Sequence, residues 1–191
     1  MLWFIVLNST YSFSSTFERP RQRPSATTVS SPNLDNLPVF GSEVSAVPSK
    51  TTFVLPLTKN RRRIFYSIAE YTPLLGSSDM TMDDWVRIAR DIKNYYDIFD
   101  GFVILHGTDT LAYTASALSF MLENLGKPVV LTGSQVPIFE VRSDGWNNFL
   151  GALIIAGGGY PLFEVTVFFH DQVCRELYWH RNNTVDNLSC S

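Results

Sequence analysis

An α/β fold, with a doubly wound and mostly parallel sheet, is predicted from three features of the chain. Continuous apolar runs alternate with segments of helical period from about residue 64 to residue 169. The runs Phe102-Val-Ile-Leu105 and Val129-Val-Leu131 carry no polar residue, as strands buried on both faces require. Short loops rich in Gly, Ser, Thr and Asp follow those runs, at the sheet edge where ligands of such folds bind.

The elements follow in order. Residues 1–50 mix Pro, Ser, Thr and Val without a helical or alternating period, and Glu18-Arg19-Pro20-Arg21-Gln22-Arg23-Pro24 reads as an extended linker. This segment is expected to be poorly ordered. The apolar start MLWFIVL lacks a positively charged region and is too short to span a bilayer; a signal-like role is the alternative reading. Order is expected from Phe53. Ile64, Tyr66 and Ile68 alternate as in a strand, and Tyr71 to Asp79 form a loop. Thr81 can cap a helix with Asp83 and Asp84 in its first turn. Trp85, Ile88, Ala89, Ile92, Tyr95, Tyr96 and Phe99 recur at helical spacing until Asp100-Gly101 breaks the pattern.

After the strand Phe102–Leu105, His106-Gly-Thr-Asp109 turns the chain. A helix then runs from about Thr110 to Leu125, with Gly126 at its C′ position. The strand at Val129–Leu131 leads into the loop Thr132–Pro137. Asp144 and Gly145 precede a helix through Ala156, ended by three glycines, and Val165–Phe169 is a further strand.

Composition narrows the function classes. Fifteen Lys and Arg against 18 Asp and Glu give a net charge of −3, so no basic field points to nucleic acid. Arg61-Arg62-Arg63 reads as a solvated strand entrance. The two cysteines, Cys174 and Cys190, form no C-x-x-C, so neither a disulfide framework nor a zinc site is expected. No G-x-G-x-x-G or P-loop follows a strand, which excludes the common nucleotide-binding turns.

The string Val103-Ile-Leu-His-Gly-Thr-Asp-Thr-Leu111 sits at a strand-to-helix turn. Thr108 offers a hydroxyl and Asp109 a carboxylate at the positive end of a helix dipole. The plain alternative is that one of them only caps the helix. The string resembles the second signature of the asparaginase/glutaminase family, and other segments extend the likeness. Ser77-Ser78-Asp79-Met80-Thr81 with Trp85 is similar to the substrate loop of type I asparaginases, with Gly76 where an Asp is usual. Leu131-Thr-Gly-Ser-Gln-Val-Pro137, Ser143-Asp144-Gly145 with Asn148, and Val167-Phe-Phe with Arg175 follow in family order. The likeness covers about residues 52–175 and is closest to the animal enzymes also named 60 kDa lysophospholipases.

The resemblance implies hydrolysis of L-asparagine to L-aspartate and ammonia through an acyl-enzyme, with no metal and no organic cofactor. It implies that Thr108 orients the attacking or hydrolytic water and that Asp109 binds the substrate α-ammonium. It implies that Ser77 and Ser78 hold the α-carboxylate end, and that Ser134 and Gln135 contribute to the pocket floor. L-asparagine or L-aspartate, and a homo-oligomer, are the implied partners; neither nucleic acid nor membrane is among them, and a cytoplasmic location is implied. His106 is read as a packed or backbone-bonded residue, and Asn148 as a backbone-bonding one.

Two departures accompany the likeness. The family's nucleophile loop, Thr-Gly-Gly-Thr-Ile-Gly, occurs nowhere in residues 1–191, and no lysine follows Arg175 where the family places its triad lysine. The expected organisation is a divergent segment 1–50, a partial α/β domain over 51–175 and a divergent tail 176–191, with the smaller C-terminal domain absent. The sheet is expected to lack its first strand. The resulting expectation is a catalytically incomplete chain, or a non-catalytic product that binds an amino acid or a family subunit.

Overall fold

The computed structural model describes residues 2–11, 48–58, 62–72, 75–175, 179–181 and 188–190. The first strand, β1 (Trp3–Tyr11), is followed by β2 (Pro48–Val54) and β3 (Arg62–Glu70). Next come a single 3-10 turn at Ser77–Asp79, α1 (Met82–Tyr95), β4 (Gly101–Leu105), α2 (Leu111–Met121), β5 (Val129–Thr132), α3 (Gly145–Gly157) and β6 (Val165–Phe169). Then β7 (Gln172–Arg175) completes a seven-stranded sheet ordered β2-β3-β1-β4-β5-β6-β7. A separate hairpin pairs β8 (Trp179–Arg181) with β9 (Leu188–Cys190).

The side-chain alternation of the strands sorts the core into two layers. Phe4 and Val6 of β1, Phe102 and Ile104 of β4, and Val129 and Leu131 of β5 pack with Ile88, Ile92 and Leu118 of α1 and α2. Their neighbours Ile5, Leu7, Val103 and Val130 pack on the other face with Ala152, Leu153 and Ala156 of α3. Phe4 stacks on Phe102 at 5.8 Å between ring centroids. Each such fully buried side chain contributes about 1.5–3 kcal/mol. Gly101 and Gly151 let helix and sheet approach: a Cβ on Gly101 would lie 2.5 Å from the Ala156 carbonyl oxygen, and one on Gly151 2.1 Å from the Phe168 ring.

The α/β class stands, with helices on both faces. The expectation of a mostly parallel sheet is corrected. Only β4–β5 and β5–β6 pair in parallel, while the other four pairings are antiparallel. The expected missing first strand is also corrected. β1 fills the sheet between β3 and β4, so residues 3–11 are not part of a disordered segment. The apolar start, for which a signal-like role was only the alternative reading, contains a central strand, apolar because Phe4, Ile5, Val6 and Leu7 are all fully buried. The expected linker Glu18–Pro24 lies outside the described residues.

Smaller differences concern ends and turns. α1 stops at Tyr95 rather than running to Phe99, whose N–H instead bonds the Tyr95 carbonyl in a closing turn. α2 stops at Met121, four residues short of the expected end. Asn124 rather than Gly126 takes the left-handed conformation after it, at φ 56°; Asn tolerates that region, and the Gly126 N–H goes to Tyr96 Oη at 2.6 Å. The β6–β7 hairpin turns on His170 and Asp171, both at positive φ, a type I′ geometry usually filled by Asn or Gly. Cys174 is disulfide-bonded, although the sequence led to no expectation of a disulfide framework.

Candidate ligand-binding site

The site forms at the carboxyl edge of β4 and β5, the ligand-binding edge of a parallel core. Leaving β4, the chain makes the turn His106–Thr110 before α2 begins at Leu111. The Ser77–Asp79 turn is folded against it. Ser77 Oγ donates to Asp109 Oδ2 at 3.2 Å, and Thr110 Oγ1 donates to the Ser77 carbonyl at 2.6 Å. Gly107 makes this contact sterically feasible, because a Cβ there would lie 2.3 Å from Ser77 Oγ.

The N-cap of α2 is Thr110, so neither Thr108 nor Asp109 occupies the capping position. Asp109 is exposed, and Thr108 is half-buried beside it. An exposed carboxylate at a helix N-terminus, with hydroxyls next to it, suits the cationic end of a small polar molecule. Ser78 lies in the same turn as Ser77 and is exposed.

The loop after β5 is fixed by a second set of contacts. Asp144 accepts hydrogen bonds from the backbone N–H of Gln135 and of Val136, each at 3.1 Å. Asn148 Nδ2 donates to the Gly133 carbonyl at 2.9 Å and to Asp144 Oδ2 at 3.0 Å, and its Oδ1 accepts the His170 N–H at 3.1 Å. Gly133 passes under the first turn so closely that a Cβ would lie 2.2 Å from the His106 carbonyl oxygen. Ser134 and Gln135 are therefore held on the neighbouring loop. Among the described residues, no hydrogen bond joins their side chains to Ser77, Thr108 or Asp109.

Three residues behind the turn were not nominated as site residues from sequence. His106 is buried and bonds both the Gly107 carbonyl and Thr114, and Thr114 also bonds Trp85. Burial pushes the His106 imidazole below its ordinary pKa, so it is neutral near pH 7. The sequence signal was the i, i+8 relation of His106 and Thr114, which only becomes readable once the strand-to-helix turn is placed. A depression of about 230 Å³ lies at the opposite sheet edge, lined by Leu122, Asn124, Phe163 and Val165 among others, and contains none of the nominated residues.

Known proteins resemble this arrangement. The family model described as "Asparaginase, N-terminal" matches residues 24–188. The L-asparaginase of Dirofilaria immitis is 57% identical over 134 residues, which is 70% of this chain and 22% of that protein. L-asparaginase 1 of Escherichia coli is 66% identical over 110 residues, 58% of this chain and 32% of the relative. The 60 kDa lysophospholipase of Homo sapiens is 50% identical over 145 residues, 74% and 25% respectively. The crystal structure of L-asparaginase I from Vibrio cholerae superposes with a TM-score of 0.58 at 58% identity, covering 61% of this chain and 35% of that one. The chain thus spans about a third or less of the length of these relatives. On the match over residues 24–188, and with the His106–Thr110 turn seated against a serine loop, this chain belongs to the asparaginase family through its N-terminal domain.

Proposed function

We propose that this chain carries the amino-acid-gripping half of an L-asparaginase site, and that it does not turn over substrate by itself. The observation that carries the reading is the Ser77–Asp109 contact across Gly107, which joins the two loops into one polar surface. Asp109 takes the α-ammonium of L-asparagine or L-aspartate, and Ser77 and Ser78 take the α-carboxylate. Thr108 stands next to the side-chain amide, where it orients water; Ser134 and Gln135 border the pocket. The site's chemistry is hydrolysis of that amide, L-asparagine and water giving L-aspartate and ammonia.

Strand direction supports the inert reading. A nucleophile loop leaving a strand at this edge needs that strand to run parallel to β4. β1 runs antiparallel to β4, with Trp3 opposite Leu105 and Leu7 opposite Gly101. The chain therefore leaves β1 at the far edge, where the Ser9 N–H bonds Asp100 Oδ2 at 2.8 Å. That is roughly 20 Å of strand away from the Thr108 edge. Residues 1–191 hold no Thr-Gly-Gly-Thr-Ile-Gly, and catalytic groups that act as a unit lose nearly all rate together.

Subunit association belongs to the same reading. Trp146, Leu150 and Ile154 form an exposed stripe along α3, a helix without a charged residue. The cytosolic setting implied by the resemblance is also proposed, with reduction of the Cys174 disulfide as its consequence. Among the described residues, no helix is long and apolar enough to cross a membrane.

The test is calorimetric titration of the purified chain with L-aspartate, together with ammonia release from L-asparagine. Binding that Asp109→Asn weakens about tenfold or more, without ammonia release, supports the reading. Turnover that Thr108→Ala abolishes refutes the inert part. Absence of any aspartate heat refutes the gripping part.

A further inference from the structure

We propose that Trp85, Thr114 and His106 are positioning residues that set the peptide plane after Gly107, and with it the placement of Thr108 and Asp109. The proposal rests on the amino-acid-binding reading above. Trp85 Nε1 lies 2.9 Å from Thr114 Oγ1, Thr114 Oγ1 lies 2.9 Å from His106 Nε2, and His106 Nδ1 lies 2.6 Å from the Gly107 carbonyl oxygen. The direction of each bond follows from what its ends can do. An indole N–H can only donate, so Thr114 Oγ1 accepts from Trp85. A carbonyl can only accept, so His106 Nδ1 carries a proton. His106 Nε2 in the neutral ring is then an acceptor, and it takes the one hydroxyl proton of Thr114.

The chain of bonds therefore has a single polarity, running from α1 through α2 to the turn. Thr114 is fully buried and His106 is 3% exposed, so water does not compete for these groups. Both arms of the site are tied at once. Trp85 sits on the first turn of α1, just after the Ser77–Asp79 turn, and His106 holds the first carbonyl of the Gly107–Asp109 segment. A buried cluster needed only for stability could be apolar at similar cost. This one fixes the tautomer of a ring whose other nitrogen holds the turn.

Thr114→Val keeps the shape and removes the hydroxyl, while Thr114→Ser keeps the hydroxyl. Nitrogen-15 spectra of the wild-type imidazole are expected to show His106 protonated at Nδ1 only; protonation at Nε2 overturns the proposal. L-aspartate affinity is expected to fall about tenfold or more in Thr114→Val and to return to within about twofold in Thr114→Ser. Unchanged affinity in a folded Thr114→Val overturns it. If wild type binds no aspartate, the binding reading fails on its own, and amide exchange at residues 108–110 decides the positioning. Faster exchange in Thr114→Val than in Thr114→Ser supports it, and equal exchange overturns it. If Thr114→Val does not fold, the same comparison is made between Trp85→Phe and wild type.

Discussion

Gly107 and Ser77 meet so closely that the site depends on a missing methyl group: a Cβ on Gly107 would fall 2.3 Å from Ser77 Oγ and 2.7 Å from Ser77 Cβ. Gly107→Ala must push the serine turn away from Asp109. The expected outcome is a loss of about 1–3 kcal/mol of stability, with aspartate binding reduced beyond detection. Urea unfolding and calorimetry on the same preparation check both halves. Retained binding would mean that the two loops move independently.

Asp109 offers the opposite profile. It is exposed, so Asp109→Asn is expected to leave the unfolding midpoint nearly unchanged. Loss of a charge-assisted hydrogen bond to the ligand ammonium costs about 1.5–3 kcal/mol, which is about 10- to 150-fold in aspartate affinity. A titration series with L-aspartate and with succinate, which lacks the ammonium, checks the assignment. Only aspartate binding should respond.

His106 links the site to pH. Burial lowers its native pKa, while the unfolded chain takes up a proton near the ordinary value of about 6.5. Over the interval between the two values the unfolded state holds more protons, so stability falls as pH drops below about 6.5 and levels off below the native pKa. Unfolding midpoints of wild type and His106→Gln, compared from about pH 7.5 to about pH 5, isolate this contribution from the carboxylates. The wild type should lose more stability than the variant. Equal losses would place the native pKa at its ordinary value.

The approach of α3 to the sheet makes a control for the fold alone. Gly151→Ala drives a methyl into the Phe168 ring, with 2.1 Å available, and is expected to cost about 1–3 kcal/mol. Gly126→Ala meets only Tyr96 Oη at 3.4 Å and should be close to neutral. Thermal melts of the pair check the difference.

Much of the parallel core was legible because its signals are local. The apolar runs at Phe102–Leu105 and Val129–Leu131 and the helical period after Thr81 depend only on which faces are buried, and the structure keeps them as β4, β5 and α1. The serine loop and the Thr108–Asp109 turn were nominated as partners, and the Ser77–Asp109 bond brings them together. Ser134 and Gln135 are placed on the adjacent loop without a bond to that pair.

What the chain's order of residues determined by itself is the kind of each element from α1 to β6, together with the chemistry gathered at one edge of the sheet. Only the tertiary structure decided the direction of β1, the mixed pairing around the parallel core, and the hydrogen-bonded path from Trp85 to Gly107. The run Phe4–Leu7 looks the same whether it points up or down a sheet, because burial on both faces erases the alternation that would mark its surroundings. Direction is set by the partners across the strand. Hydrogen bonds between residues eight to thirty positions apart likewise exist only after the backbone has brought them together.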